Sequence, residues 1–388
     1  MLSTALSFVD RQVLAALAPF LKDRFHLTNE GYGLIVSAFS LSYALVAPAA
    51  GLLIDRIGLT TGAALAVGLW SVAGVATGLV GGLGGLLTCR ALLGAAESGG
   101  IPATAKGFAL YLEPKERAMG TALNQVGITI GMMIAPLLVG GVAVAWGGRA
   151  AFVATGLAGF AWVPLWLLTA RHIPTREPAG RATSAPALWR DWRLWGLAVA
   201  NILMMTVYSL WMNWTTVFLV SAHGLDPAAA NRRFAWVPPV FASLGGLAGG
   251  WMSMRWASRG MGLYSARLRA CAVGAVLLTS TALVPVVRDA LPATALISLS
   301  FFAAVAMSAN IYAMPLDLFG SSRAAFAVSV LTASYGLMQT VVSPLFGRSI
   351  DAYGFGPVCG VCGVLPLVAL ALLVAVGRAR TGRQTAEG

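Results

Sequence analysis

Four ionisable side chains lie inside long apolar segments of the sequence, where a charged group is costly unless it faces a cavity or a partner. Asp10 and Arg11 are neighbours in the first of these segments. Arg90 and Glu97 lie seven residues apart in a later one, which places them on one face of a helix. With both acids ionised the four charges cancel, whereas protonation of both acids leaves the two arginines to bind an anion. The pattern therefore indicates a site that takes up protons together with an anion. The alternative is an ion-pair network that only holds two helices together.

The composition shows what kind of chain carries these residues. Of its 388 residues, 58% are hydrophobic and 10% are charged, whereas an ordinary soluble protein has roughly 25% charged residues. The chain is therefore expected to lie in a lipid bilayer. Its 26 Lys and Arg exceed its 14 Asp and Glu. These basic residues are scattered over the loops and form no basic face, so nucleic acid is not expected as a partner.

The sequence offers few residues for catalysis, metal binding or ion conduction. It contains no Ser-His-Asp arrangement, no paired carboxylates and no metal-ligating cluster, and its three histidines lie at segment junctions. The four cysteines all fall inside apolar segments, where a buried thiol is the usual state. An enzyme, a metal site and a cofactor are therefore not expected. A channel would need a selectivity filter or a ring of charge, and neither pattern is found.

The elements that must position the four charges are apolar runs broken by charge, Gly or Pro, and they predict an all-α integral membrane protein with twelve transmembrane helices. These helices are predicted at residues 2–21, 31–54, 59–80, 83–105, 118–146, 150–170, 194–221, 234–254, 266–287, 291–318, 324–350 and 356–377. At 1.5 Å per residue, Asp10 lies ~14 Å along the first helix, about half of a ~30 Å hydrocarbon core. The connections on one face contain seventeen Lys and Arg and those on the other face seven. Because positive charge accumulates on the cytoplasmic side, both termini are predicted to be cytoplasmic.

The longest connection divides the chain into two halves. We predict an N-terminal six-helix bundle at 1–170, a cytoplasmic linker at 171–193, a C-terminal six-helix bundle at 194–377 and a cytoplasmic tail at 378–388. The bundles are expected to be pseudo-symmetric, because Gly51–Arg56 resembles Gly250–Arg255 and Ala135–Leu137 resembles Ser343–Leu345. Two such halves, related by an axis along the membrane normal, form one known type of alternating-access transporter.

Neutral polar and aromatic side chains form a second group of candidates. Ser329, Thr332, Tyr335, Gln339 and Ser343 recur at steps of three and four in the eleventh predicted helix and form one stripe. Hydroxyls in such a stripe can instead bond to carbonyls of their own helix. A buried amide or phenol without a partner costs about 1–3 kcal/mol, so these groups favour a cavity. From this and similar faces, the residues expected to contact a substrate are Gln125, Tyr208, Trp211, Asn310, Tyr335 and Gln339, with Asn201 and Tyr312 on the same faces.

Several motifs resemble those of a known family. Gly51-x-x-x-Asp55-Arg56-x-Gly58 is similar to the loop motif between helices 2 and 3 of the major facilitator superfamily. A narrower resemblance, to the anion:cation symporter family of hexuronate, galactonate, sialic acid and vesicular glutamate transporters, rests on four segments. These are Phe8-Val9-Asp10-Arg11, Ser37-Ala38-Phe39 with Tyr43, Arg90-Ala-Leu-Leu-Gly94-Ala-Ala-Glu97 and Pro114-Lys115-Glu116-Arg117. The resemblance implies uptake of organic anions, usually sugar acids and in bacteria commonly with protons. It also implies substrate contact by Arg11 and Tyr43 and a gating loop formed by Gly51, Asp55, Arg56 and Gly58.

These observations together predict a monomeric secondary active transporter of the inner membrane, which carries a hydroxylated carboxylate in symport with protons. Arg11 is expected to bind the carboxylate, because its planar fork suits bidentate pairing. Asp10, Glu97 and Arg90 are expected to couple transport to protons, with Asp10 turned towards Arg90 and Glu97 releasing its proton to the cytoplasm. A facilitator or exchanger of the same fold, without proton coupling, is the alternative.

Overall fold

A computed structural model of the chain describes residues 1–111, 117–171, 186–319 and 321–384, and every regular element within these ranges is helical. In chain order, the α-helices are α1 (Leu2–Ala16), α2 (Ala18–Phe25), α3 (Asn29–Ile57), α4 (Leu59–Leu79), α5 (Leu83–Glu97), α6 (Gly100–Tyr111), α7 (Arg117–Trp146), α8 (Gly148–Ala170), α9 (Trp192–His223), α10 (Pro227–Ala230), α11 (Val237–Ser258), α12 (Leu263–Leu278), α13 (Ala290–Ile311), α14 (Met314–Phe319), α15 (Ser321–Tyr353) and α16 (Phe355–Gln384). Pro114, Lys115 and Glu116 of the family-like motif, most of the predicted linker and the end of the predicted tail lie outside the described residues.

Several predicted helices are interrupted in the structure, and two of these helices carry the four charged residues. The first, predicted at 2–21, bends by 52° between α1 and α2. Pro19, near the start of α2, explains the bend, because proline lacks the N–H that would continue the hydrogen bonding of α1. The helix predicted at 83–105 breaks after Glu97, and α6 begins only at Gly100. The prediction of two continuous helices was therefore wrong at these points, and the second break lies beside one of the four charged residues.

Length and hydropathy identify the membrane-spanning elements. Within the described residues, 8 helices are long and apolar enough to cross a membrane, and the bent pair α1–α2 would make 9. Large apolar side chains such as Leu45, Leu79 and Leu247 are exposed, as expected for a surface that faces lipid. The structure therefore supports an all-α multi-pass membrane protein, while the predicted number of twelve spans stays a prediction.

The helices form two compact units. The first comprises Met1–Arg181, Thr216–Trp236 and Ser343–Arg348. In this unit α1 packs against α7, α3 against α5 and α4 against α8. Close approach is possible because of glycine: a Cβ at Gly94 would collide with the carbonyl group of Phe39, and one at Gly131 with the carbonyl oxygen of Ala5. These two contacts bring α5 to α3 and α7 to α1, and so determine where the charged residues of α1 and α5 lie.

The second unit comprises Ala182–Thr215, Val237–Val342 and Ser349–Gly388. Here α11 and α12 both pack against α13, and α16 packs against α12 and the 3₁₀ segment Thr279–Val286. It also contains the larger part of α9, a helix that is predominantly buried within the protein. This unit contains most of the neutral polar residues that the sequence marks as candidates.

Candidate functional site

A cavity of about 330 Å³ lies within the first unit. Its polar lining comes mainly from one face of α1, with contributions from α3, α5, α6 and α7. The polar lining residues are Ser3, Thr4, Ser7, Arg11, Tyr43, Glu97, Thr104 and Asn124. The rest of the wall is apolar or aromatic and includes Phe8, Trp70 and Phe108. The break after Glu97 allows both the end of α5 and the start of α6 to line this cavity.

Arg11 and Glu97 form an ion pair in this cavity. The Arg11 Nε atom donates to Glu97 Oε2 at 2.6 Å, and the Ser7 hydroxyl donates to the same oxygen at 2.8 Å. The Glu97 side chain has 0% exposure, whereas Arg11 keeps 20%. The other carboxylate oxygen, Oε1, is buried and has no hydrogen-bond partner among the described residues. The pair is thus asymmetric: the acid is enclosed, and the base reaches the open space.

Aromatic rings surround the guanidinium group of Arg11. Its Cζ atom lies 5.0 Å from the ring centroid of Phe8 and 4.9 Å from those of Phe39 and Tyr43. The Tyr43 hydroxyl also interacts with Arg11 by a hydrogen bond. Rings at this distance attract a cation and fix its position without neutralising its charge. Arg11 is therefore held in place while it remains able to bind an anion.

Asp10 and Arg90 are both buried, but they form no ion pair with each other. The Asp10 carboxylate instead interacts with Thr155 of α8, and its Oδ1 atom has no hydrogen-bond partner among the described residues. The Arg90 guanidinium lies over the Phe39 ring, with Cζ 5.1 Å from the centroid, and its Nε atom is buried with no partner in the described part of the chain. The contact expected between Asp10 and Arg90 is thus not made in this structure. All four charged residues nevertheless lie in one unit and influence one another electrostatically.

The second unit contains a cluster of neutral polar side chains. Tyr312 lies within hydrogen-bonding range of Thr332 and Asn201, and Asn201 also donates to the carbonyl oxygen of Leu331 at 3.0 Å. Asn310 donates to the carbonyl oxygens of Gly249 at 3.0 Å and of Ala306 at 2.9 Å, and it is 1% exposed. Asn310 therefore joins α13 to α11, which is a packing role that the sequence did not suggest.

The other residues that the sequence marks in this unit are placed differently. Tyr208 packs edge-on against Phe301 with centroids 5.2 Å apart, and Trp211 is buried. Tyr335 and Gln339 are half-buried on α15. Stripe hydroxyls such as that of Thr332 donate to carbonyl oxygens of their own helix, here Val328 at 3.0 Å. Part of the stripe is therefore bonded within its own helix.

On α7, the cavity is lined by a residue that the sequence analysis missed. Gln125, the predicted contact, is exposed, whereas its neighbour Asn124 lines the cavity. The Thr4 hydroxyl donates to Asn124 Oδ1 at 2.6 Å. Adjacent residues on a helix point about 100° apart, so a one-residue error in the predicted face exchanges the two. The feature of the sequence that could have indicated Asn124 as a lining residue was the polar face of α1 formed by Ser3, Thr4 and Ser7.

With the geometry described, the chain can be compared with known proteins. The family described as Major Facilitator Superfamily matches residues 1–333. The chain belongs to the major facilitator superfamily. It is 29% identical over 390 residues to the hexuronate transporter of Escherichia coli strain K12, covering 95% of this chain and 90% of that protein. It is 31% identical over 273 residues to the galacturonate transporter of Dickeya chrysanthemi, covering 65% of this chain and 79% of that protein.

Two further comparisons agree with this assignment. The D-galactonate transporter of Escherichia coli O6:H1 strain CFT073 is 23% identical over 410 residues, covering 97% of this chain and 94% of that protein. A solved structure of a bacterial homologue of the human lysosomal transporter Spinster, in an inward-facing and occupied conformation, has a TM-score of 0.78 and 21% identity. The match covers 97% of this chain and 95% of that chain. At this identity the similarity supports the fold and nothing further. The predicted resemblance is confirmed: the chain is a membrane transporter of this superfamily and not an enzyme.

The loop motif of the superfamily lies at the end of α3. Gly58 ends this helix with φ +85°, a conformation that glycine adopts without strain. Arg56 is exposed, and the side chain of Asp55 lies outside the described residues. Gly51 faces Pro102 of α6, and Lys106 of α6 donates to the carbonyl oxygen of Ile54 at 3.0 Å. The end of α3 is thus joined to α6, the helix that also lines the cavity.

Proposed function

We propose that this protein carries a hydroxylated carboxylate across the inner membrane in symport with protons. The observation that carries the proposal is the Arg11–Glu97 pair at 2.6 Å inside the cavity. A substrate carboxylate and Glu97 are alternative partners for the same guanidinium group. When Glu97 is ionised, Arg11 is neutralised; when Glu97 accepts a proton, Arg11 has a positive charge available for the anion. Anion and proton therefore favour each other's binding.

Asp10 and Arg90 extend this argument to a second proton. Both are buried, and one oxygen of the Asp10 carboxylate has no partner within the described ranges. Protonation of both Asp10 and Glu97 would leave Arg11 and Arg90 with two positive charges, of which a monoanion compensates one. We propose that both acids carry protons and that Arg90 keeps these protons close to the anion. Glu97 then releases its proton last.

The proposed substrate is a sugar acid such as a hexuronate or an aldonate. Around Arg11, the cavity presents Ser3, Thr4, Ser7 and Asn124, which are neutral groups suited to hydroxyls. Relatives over most of the chain are named transporters of hexuronate and of D-galactonate. A monocarboxylate with several hydroxyls matches one cation surrounded by neutral hydrogen-bonding groups.

The remaining features of the account belong to the same proposal. We propose twelve spans in two pseudo-symmetric bundles at 1–170 and 194–377, with cytoplasmic termini and a monomer as the working form. Tyr208, Trp211, Tyr335 and Gln339 would contact the sugar hydroxyls. Gly51, Asp55, Arg56 and Gly58 would control opening to the cytoplasm.

The proposal is tested by uptake of labelled D-galacturonate and D-galactonate into proteoliposomes. Uptake should be driven by an acidic exterior, and two protons with one monoanion should make it electrogenic. Moving one charge through 100 mV changes the driving force by ~2.3 kcal/mol, so a negative interior should accelerate uptake visibly. Uptake that ignores the pH gradient but exchanges internal for external acid would support the exchanger instead. Uptake of neither acid under any gradient would reject the proposed substrate class.

A further inference from the structure

A hydrogen bond between α1 and α7 has no part in the proton scheme. The Thr4 hydroxyl donates to Asn124 Oδ1 at 2.6 Å, and both residues line the cavity. Thr4 lies seven residues before Arg11, about two helical turns and therefore on the same face of α1. At 1.5 Å per residue the two positions are ~10.5 Å apart along the helix. The Thr4–Asn124 pair thus stands at a distance from the guanidinium group within the same cavity.

The bond determines which part of the Asn124 amide faces the cavity. A side-chain amide has one oxygen and one NH2 group, and the oxygen here accepts from Thr4. The NH2 group then points away from Thr4. No described residue accepts a hydrogen bond from it, and Asn124 lies on the cavity wall. The two N–H donors of Asn124 are therefore left without an acceptor among the described residues, on a residue of the cavity wall.

Packing alone does not account for this pair. The backbones of α1 and α7 already touch, because a Cβ at Gly127 or at Gly131 would collide with main-chain atoms of Met1 or Ala5. A hydrogen bond adds little to an interface that is already this close. Thr4 and Asn124 are also only half-buried, whereas polar residues that join helices here, such as Asn310, are almost fully buried.

We propose that Asn124, oriented by Thr4, binds a hydroxyl at the end of the substrate distant from its carboxylate and so sets the chain length of the acid that is accepted. The inference rests on the proposed function, since it takes Arg11 as the site of the carboxylate. An extended six-carbon acid held by Arg11 would lie along α1 and reach Asn124. A three-carbon acid would bind Arg11 without reaching the amide.

The test measures competition against labelled D-galacturonate by D-galactonate, which has hydroxyls on C2 to C6, and by D-glycerate, which has them on C2 and C3 only. Wild-type protein should bind D-galactonate more tightly than D-glycerate. Asn124→Ala should weaken D-galactonate about tenfold, the value of a lost hydrogen bond, and leave D-glycerate unchanged. Asn124→Asp keeps an acceptor for Thr4 but lacks the donors, so it should also lose the preference for the longer acid. Thr4→Val, which frees the amide without removing it, should have a smaller effect.

Three results would overturn the inference. They are equal affinity of wild-type protein for the two acids, equal weakening of both acids by Asn124→Ala, and an undiminished preference in Asn124→Asp. The melting temperature of each variant without substrate separates these outcomes from misfolding, since a role in packing would lower it for Asn124→Ala and spare it for Asn124→Asp. Failure of the proposed function gives a different result, which is that wild-type protein binds neither acid.

Discussion

Two regions of this protein place polar groups inside a membrane, and they satisfy those groups differently. In the first unit, Asp10, Arg90 and Glu97 are buried, and each keeps one polar atom without a hydrogen-bond partner among the described residues. In the second unit, the buried polar groups are neutral: the NH2 groups of Asn201 and Asn310 donate to backbone carbonyl oxygens, while their Oδ1 atoms have no partner among the described residues. The first arrangement leaves charged groups able to exchange partners, whereas the second fixes helices against each other.

The difference shows how to separate function from packing among buried polar residues. A side chain that donates to carbonyl oxygens of a neighbouring helix stabilises one arrangement of the protein. A buried carboxylate with an unpartnered oxygen is costly, and it is retained where a proton or a ligand can arrive. The largest effects on transport should therefore come from the first unit, and the second should yield smaller effects on affinity and stability.

The largest effect is expected from Arg11. Arg11→Ala should abolish transport and lower the affinity for the anion by ~30-fold or more. The reason is that the anion loses the positive charge of Arg11, which is partly exposed to the cavity. Arg11→Lys should also be poor, since a point charge cannot pair in a bidentate manner. Substrate binding to purified protein measures this effect. Arg24→Ala, which removes an exposed arginine of α2, is the matched control. Normal affinity in Arg11→Ala would remove Arg11 from the substrate site.

The next effect concerns Glu97. Glu97→Gln should weaken accumulation driven by a pH gradient, because one of the two coupled protons is lost, and keep exchange of internal for external substrate, because a permanently neutral side chain leaves Arg11 available. Counterflow and gradient-driven uptake in the same proteoliposomes distinguish the two activities. Glu30→Gln, at an exposed acid of α3, should change neither. Gradient-driven accumulation by Glu97→Gln equal to that of wild-type protein would assign the coupling proton elsewhere.

Asp10 allows a sharper version of this test. If Asp10 is a second proton site, Asp10→Asn should also weaken gradient-driven accumulation and retain exchange. If it only supports helix packing, the variant should instead be unstable. Melting temperature together with counterflow separates the two outcomes.

A smaller effect is expected from the half-buried stripe of α15. Gln339→Leu should raise the concentration for half-maximal uptake several-fold by removing one hydrogen bond to the substrate, and it should leave proton dependence intact. Thr340→Val is a suitable control on the same helix, because the Thr340 hydroxyl already donates to the Gly336 carbonyl oxygen at 2.9 Å. If Gln339→Leu discriminates between hydroxylated and deoxy acids to the same extent as wild-type protein, Gln339 has a role in helix packing and does not contact the substrate.

The smallest effect on transport is expected from Asn310. Asn310→Ala should lower the free energy of unfolding by about 1–2 kcal/mol, because the Gly249 carbonyl oxygen loses its donor from α13, and leave the half-maximal concentration unchanged. Thermal unfolding in detergent measures the change. Thr294→Val is the control, since Thr294 donates within its own helix. A raised half-maximal concentration at normal stability would return Asn310 to the substrate site, as the sequence suggested.

The charged residues gave a stronger signal in the sequence than the neutral ones, for a physical reason. Asp10, Arg11, Arg90 and Glu97 are conspicuous because ionisable groups in apolar helices are rare and costly. Neutral groups give a weaker signal, since an asparagine in an apolar helix is satisfied equally by a substrate or by a carbonyl oxygen. Asn310 was therefore predicted as a substrate contact although it joins two helices, and Asn124 was overlooked beside Gln125.

The spacing of residues in the sequence also could not show which charged residues pair or where the helices break. Heptad spacing places Arg90 and Glu97 on one face but does not tell which of them meets Arg11. The structure shows that it is Glu97. The superfamily fold was visible in the motifs, yet the breaks at Leu17 and Ser98 were missed because they fall within continuous apolar runs.

The most direct test of the central claim is the pH dependence of substrate affinity in purified protein. If protonation of Glu97 frees Arg11, the dissociation constant of D-galacturonate should rise with pH in wild-type protein, by as much as ~tenfold per pH unit for each proton bound with the anion. Glu97→Gln should retain tight binding. The pH dependence of its dissociation constant should be weaker than that of wild-type protein by at least the contribution of one proton. A dissociation constant that is independent of pH in wild-type protein, or an unchanged dependence in Glu97→Gln, would contradict the account.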